Sequence, residues 1–385
     1  MSEDLEKFFK SAAKRLPTIE SSSFGPNFDT FGGSRLFYRA RAEITKRLIE
    51  EHGFNIVAIE GDWPEARSID HYSRPHPLRS ERAPIRGFVD WLREHNAVLP
   101  MDQRVSFNGL DVLSLGSSKR AVIDYLERVD PNLAKRARKR YGCLDPWLDD
   151  PAEYGRTSFY SDTAHYELGV IKMLQQLLDN RLKLMSHHED GESFMDAEMN
   201  ARVVRDAEGY YRAMFYGDRT RLLELRSGSK AVVWAHNSVR SSTRTNCGEI
   251  NLGQLCRETF PGEVSIIGCG THTGTVAAAD EWDDPMSIMN VNPSHADSYE
   301  RAMHNTGISS FMLDLRGTNT EPKLQRFIGV IYRPRTERWS HYIKTVLSKQ
   351  YDAFVWFDNS NAVHGFEIAQ PKEPLSQGET YPFGV

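Results

Sequence analysis

An α/β fold, with a mostly parallel central sheet flanked by helices and a helical lobe inserted in the middle, follows from three features of the sequence. One stretch, FYRARAEITKRLIEEHGFNIVAIEGDWPEA (Phe37–Ala66), reads as helix, tight turn and buried strand. Apolar runs of strand length alternate with helical periodicity after residue 230, the pattern of βα units. Between these regions, residues 120–230 carry helical patterns and little strand signal.

The first unit organises the chain. At roughly 100° per residue, Phe37, Ile44 and Leu48 form one apolar stripe with Arg41 near its centre, while Arg39, Glu43, Lys46 and Glu50 face away. Gly53 closes the helix in the left-handed cap conformation. Asn55–Ile59 is an almost unbroken apolar run suited to a strand buried on both faces, and it ends on Glu60. A buried arginine needs a partner, and Glu60 is the nearest carboxylate. Arg41–Glu60 is therefore either a structural ion pair or part of a polar site at the strand's end.

The remaining elements follow in order. The N-terminal MSEDLEKFFKSAAKRL reads as an amphipathic helix, and residues 18–36 read as loop. Helices are expected over Pro64–Tyr72, Ile85–Asn96 and Ser117–Arg128, with a basic proline-containing loop over 73–83. Arg104–Leu110 is a strand ending on Asp111. Beyond the lobe, strands are expected at Lys230–Ala235, Glu263–Gly270, Ser309–Leu315, Phe327–Tyr332 and Ala353–Phe357. Helices are expected at Leu252–Thr259, Ser298–His304 and His341–Leu347. The organisation read from this is an N-terminal helix and loop (1–36), then one domain (37–385) whose helical lobe spans about 120–230.

Composition narrows the function. The 385 residues are 39% hydrophobic and 26% charged, with a formal net charge of −5, which leaves no electrostatic footprint for nucleic acid. The basic run Ala134–Arg140 reads as a solvated helix face. The four cysteines lack CxxC spacing and fit a reducing compartment. No signal-peptide core and no run near the ~20 apolar residues of a membrane span is present, so the expectation is a cytoplasmic protein without membrane partners. Oligomeric state is not legible.

Chemistry is expected where strands stop. Glu60, Asp111, His236 and His272 each end an apolar run, and ligand sites of α/β sheets lie beyond such ends. With Arg41 they make two histidines, two carboxylates and an arginine, a set suited to general acid–base catalysis. The same set suits a metal, but HExxH and other local metal spacings are absent. Gly268–Thr275 (GCGTHTGT) lacks the spacing of a phosphate loop, and no GxSxG elbow occurs. Trp63 and Thr273 join Asp111 as expected substrate-lining residues. His187-His188 lies in an acidic, glycine-containing stretch and reads as exposed.

Seven stretches together resemble the erythromycin esterase family: Phe37–Ala66, DAEMNARVVRDAEGYYRAMFYG, AVVWAHNS, INLGQLCRE, IGCGTHTGTVAAADEWDDP, DSYERAMHNTG and IGVIYRPRTERWSHY. The resemblance implies an α/β fold with a helical lobe and metal-independent, cofactor-free hydrolysis of a small-molecule ester, a macrolactone in the antibiotic-resistance members. It implies a histidine acting as general base on water, surrounded by glutamates, an arginine and further histidines. Arg41, Glu60, His236 and His272 match family positions. The family's Gly-Glu-x-Ser/Thr-His-Gly-Thr segment, which carries that base, is missing: FDTFGGSRL (Phe28–Leu36) runs straight into the first helix. The second histidine of the family's Trp-Ala-His-Asn-x-His motif is replaced by Val239, and the linker at Arg219–Ser229 is short. The expected function is thus an esterase-like hydrolase with impaired catalysis and His236 or His272 as substitute base. The alternatives are a non-catalytic pseudoenzyme or truncated product that only binds a ligand in the same cleft, and a metal- or haem-binding relative. Loss of a core strand also predicts a defect or a rearranged edge in the sheet beside Asn55–Ile59.

Overall fold

Helix α1 (Arg35–His52) packs against two separate sheets, and the fold is arranged around it. The computed structural model describes residues 9, 13–15, 35–74, 87–111, 114–147, 165–185, 192–213, 229–237, 252–281 and 284–363. Most of the loops expected over 18–36 and 73–83 lie outside these residues, as do His187-His188, the linker at 219–228 and the segment from Ser238 to Asn251.

One side of α1 carries Ala42 and Ile49 into a core with Val57 and Ile59 of strand β2 (Ile56–Asp62). The other carries Phe37, Ala40 and Ile44 against Cys269, Val355 and Phe357. Gly53 takes φ +69° after the helix, as the left-handed cap requires. Strand β2 lies between β3 (Ser106–Asp111) and β4 (Ala231–Trp234), parallel to both. Its neighbours Val57 and Ala58 are both buried although they point to opposite faces, which explains the continuous apolar run. Of the defect or rearranged edge expected beside Asn55–Ile59, the defect is not found on β2 itself, which is paired on both sides by β3 and β4.

The break in the sheet falls farther out. A second, five-stranded sheet runs in the order β1 (Ala13–Arg15), β7 (Ser310–Asp314), β10 (Ala353–Ser360), β5 (Ile267–Ala278), β6 (Ser287–Val291). Between the sheets the side chain of Asn237 mimics a peptide group. Its Nδ2 donates to the Cys269 carbonyl (2.6 Å) and its Oδ1 accepts from the Cys269 amide (3.3 Å). The α/β class holds, with parallel pairing at β3–β2–β4 and β5–β10 and antiparallel strands added around them.

Four segments differ from expectation. Ala13–Arg15 is strand, not helix, because it completes the edge of β7. Strand β5 continues past Gly270 to Ala278 and exchanges β10 for β6 at its far end. Phe327–Tyr332 is irregular apart from a bridge at Ile331. Tyr342–Thr345 forms strand β9, which pairs with β8 (Lys323–Arg326), where a helix was expected. The aromatic and β-branched residues of Tyr342–Thr345 favour that pairing.

The long β5 depends on Gly274. Its φ is +116°, and a β-carbon there would collide with the backbone of Ser360 on β10. Gly274→Ala is expected to cost about 2–4 kcal/mol, since neither the strain nor a backbone clash can relax through a rotamer. A fall in the urea midpoint measures it; an unchanged midpoint would contradict the close approach.

Between β3 and β4 the helices α4 (Leu115–Val129), α5 (Pro131–Tyr141), α6 (His165–Asp179), α7 (Arg181–Met185) and α8 (Glu192–Ala213) build a core of their own. Asp130 caps α5 by accepting from the Leu133 amide (3.0 Å), and Pro131 opens it. No helix among the described residues is long and apolar enough to cross a membrane.

Candidate active site

Three predicted residues meet at the end of β4. Glu60 Oε2 accepts the backbone N–H of His236 (2.7 Å), and Arg41 Nη2 donates to the Ala235 carbonyl (3.1 Å). Arg41 also lies over the Tyr38 ring, 5.5 Å from its centroid. Arg41 and Glu60 thus hold the C=O and the N–H of one peptide group, the Ala235–His236 amide at the strand end. The His236 ring bonds the Ile328 carbonyl through Nε2 (2.9 Å). A carbonyl only accepts, so Nε2 carries the proton in this bond.

His272 stands in a different polar group, inside β5 rather than beyond its end. Its ring is buried, and Ser294 approaches Nδ1 with both its hydroxyl (2.6 Å) and its backbone amide (3.3 Å). An amide N–H can only donate. Nδ1 is therefore the lone-pair nitrogen, and Nε2 bears the hydrogen. Burial, helped by the nearby His304 and Arg301, pushes the His272 pKa down to about 4, so the ring is neutral at physiological pH.

Ser294 and two further residues of this group, His304 and Asp358, were not singled out from sequence. The His272 ring stacks on His304 with centroids 3.7 Å apart and 13° between planes. His304, on helix α10 (Tyr299–His304), bonds Asp358 of β10 through Nδ1 (2.7 Å). His304 lies in the stretch DSYERAMHNTG, but no local spacing ties it to Asp358.

Arg326 ties the two groups together. Its guanidinium donates to the carbonyls of Thr271 (2.6 Å), His272 (2.9 Å) and Asn292 (2.7 Å) and pairs with Glu337 (2.9 Å). The next residues, Phe327 and Ile328, receive His341 Nδ1 (3.0 Å) and the His236 ring. The segment Arg326–Ile328 therefore bonds β5 on one side and the end of β4 on the other.

The expected lining residues are placed elsewhere. Trp63, at the start of helix α2 (Trp63–Ser73), donates from Nε1 to Asp196 of α8 (3.0 Å) and so links the first sheet to the helical lobe. Thr273 donates to the Val291 carbonyl (2.9 Å), a bond between β5 and β6. Asp111 ends β3 opposite Asp62, whose carboxylate takes the Ser114 amide (3.0 Å). Among the described residues no three His, Cys, Asp or Glu side chains converge as a metal-binding group.

Comparison with known proteins bears on the fold and the family. The erythromycin esterase family profile matches residues 49–360. A solved succinoglycan biosynthesis protein is 18% identical, with a TM-score of 0.71 over 94% of this chain and 98% of its own. A Bacillus cereus protein is 18% identical, with a TM-score of 0.72 over 95% of this chain and 100% of its own. A mutant of the erythromycin esterase EreC, solved in its open conformation, is 16% identical, with a TM-score of 0.58 over 89% of this chain and 90% of that one. The structural likenesses establish the shared fold, and the profile match over most of the chain establishes that it belongs to the erythromycin esterase family.

Proposed function

We propose that this chain hydrolyses a carboxylic ester by direct attack of water, without a metal and without a covalent intermediate. The observation that carries the reading is His272: buried, neutral and held by Ser294 so that its available nitrogen is an N–H donor. A neutral imidazole N–H in a buried site polarises a carbonyl and stabilises the oxyanion that forms when water adds. Arg326 fixes the backbone that presents it. Arg41, Glu60 and His236 fix the adjoining strand end and the Phe327–Ile328 backbone, the role that supports them in this mechanism.

A second reading, a relative that binds a ligand in the same place without turning it over, draws on the missing Gly-Glu-x-Ser/Thr-His-Gly-Thr segment and its histidine. A panel of chromogenic esters plus a macrolide, assayed on the chain and on Glu60→Ala and His236→Ala, separates the two. Hydrolysis by the chain, falling about 10²-fold when the strand end is loosened, is the expected result. A folded chain that binds the macrolide and turns over no ester would establish the second reading instead.

A further inference from the structure

Attack of water on an ester carbonyl needs a group that takes the water's proton. We infer that the Asp358–His304 pair is that general base, an inference resting on the hydrolase reading above. The geometry is that of an oriented base. A carboxylate accepts only, so the 2.7 Å bond from His304 Nδ1 to Asp358 fixes the hydrogen on Nδ1 and leaves the lone pair on Nε2. The pair is neither sealed nor fully solvated: the side chains are 36% and 31% exposed. Water and substrate therefore reach His304, whereas His236 uses Nε2 on a carbonyl and His272 uses Nδ1 on Ser294.

Position makes the pair more than a surface ion pair. The His304 ring lies face to face with His272 at 3.7 Å, so a lone-pair nitrogen and a neutral N–H donor belong to adjacent rings. Base and oxyanion donor are the two groups that water addition to a carbonyl requires. His304 sits on α10 and Asp358 on β10, and both are held from outside the pair: the Asp358 amide donates to the Ser309 carbonyl (2.8 Å) and Ser298 caps α10 through the Arg301 amide (3.2 Å).

The proton balance closes without a further reagent. His304 Nε2 takes a proton from water as the water oxygen bonds the ester carbon. The carbonyl π pair moves onto oxygen, against the His272 N–H. When the carbonyl re-forms, the carbon–alkoxy bond breaks and the departing oxygen takes the proton from His304. The products are an acid and an alcohol.

The test uses the full-length chain with p-nitrophenyl esters, comparing His304→Ala, His304→Gln and Asp358→Asn, with folding checked by circular dichroism. His304→Ala and His304→Gln are expected to lose about 10²–10⁴ in kcat/KM. Free imidazole in the buffer is expected to restore part of the activity of His304→Ala, which a merely structural role would not allow. Asp358→Asn is expected to fall by a similar factor, because the amide can donate to Nδ1 and impose the wrong tautomer. If the parent chain hydrolyses esters and the His304 variants stay within threefold of it, or if His304→Ala loses activity that imidazole does not restore, this assignment is overturned while the hydrolase reading stands. If the folded parent chain hydrolyses none, both fall together.

Discussion

Arg326→Met is expected to lower folding stability by about 3–5 kcal/mol, the cost of removing one member of a buried ion pair. The Arg326 and Glu337 side chains are 3% and 6% exposed, and their contact is 2.9 Å. Methionine fills much of the volume but supplies no donor. It leaves three backbone carbonyls, those of Thr271, His272 and Asn292, without the guanidinium that satisfies them. It also strips the counter-charge from Glu300, which is completely buried and takes the Arg326 amide on Oε1 (2.9 Å). Burial already raises the Glu300 carboxyl pKa and Arg326 opposes that rise, so the variant pushes it further toward the neutral acid. Arg326→Lys is expected to recover little, because one ammonium cannot reach acceptors spread around a planar fork. Glu337→Gln added to Arg326→Met is expected to recover more, since the stranded charge is then removed. Urea midpoints of the four proteins measure the effect. A single Met variant within about 1 kcal/mol of the parent would show that the guanidinium contributes little. Against a typical total of about 5–15 kcal/mol, the expected loss is large enough to appear as reduced soluble yield.

That arginine also marks where the sequence stops being legible. The α1–β2 unit was readable because its signals are local: an apolar stripe of helical period, a capping glycine at 53 and a doubly buried run at 56–59. Helices α2 and α4 were readable for the same reason, as was β4, whose apolar run ends at His236. The antiparallel additions were not. Strand β1 exists because β7 offers it an edge, and β9 exists because β8 lies beside it, so both depend on partners distant in the chain. The site divides along the same line. Glu60, His236 and Arg41 were identifiable as polar residues beside buried elements. The bonds that define their roles span 176 residues for Glu60–His236 and 194 for Arg41–Ala235. His304 and Asp358 are 54 residues apart, and only the fold brings a helix and a strand together to pair them.

The neutral His272 carries the other large prediction. His272→Ala is expected to lower kcat by about 10²–10³, the usual effect of deleting one donor to a developing oxyanion. His272→Gln, which can still present an N–H, is expected to lose less. The two roles separate by pH. The native His272 ring is neutral down to about pH 4, so its protonation does not set an acid limb of kcat/KM near neutrality. Any acid limb of kcat/KM found there is therefore expected to persist, with its midpoint unchanged, in His272→Gln. If the limb disappears with His272, the ring is the base and the donor role is wrong. The same depressed pKa has a consequence for stability. Below about pH 6.5 the unfolded chain takes up a proton on this ring while the native ring does not. Its contribution to stability is therefore fully present above about 6.5 and is lost progressively as pH falls toward about 4. His341, also depressed by burial, adds a slope of the same sign. Calorimetric Tm values across that range are expected to fall less steeply for His272→Gln than for the parent, with the residual slope due in part to His341. Parallel curves for the two proteins would mean that His272 titrates alike in the folded and unfolded chain, and the argument for a ring held neutral by its surroundings would fail.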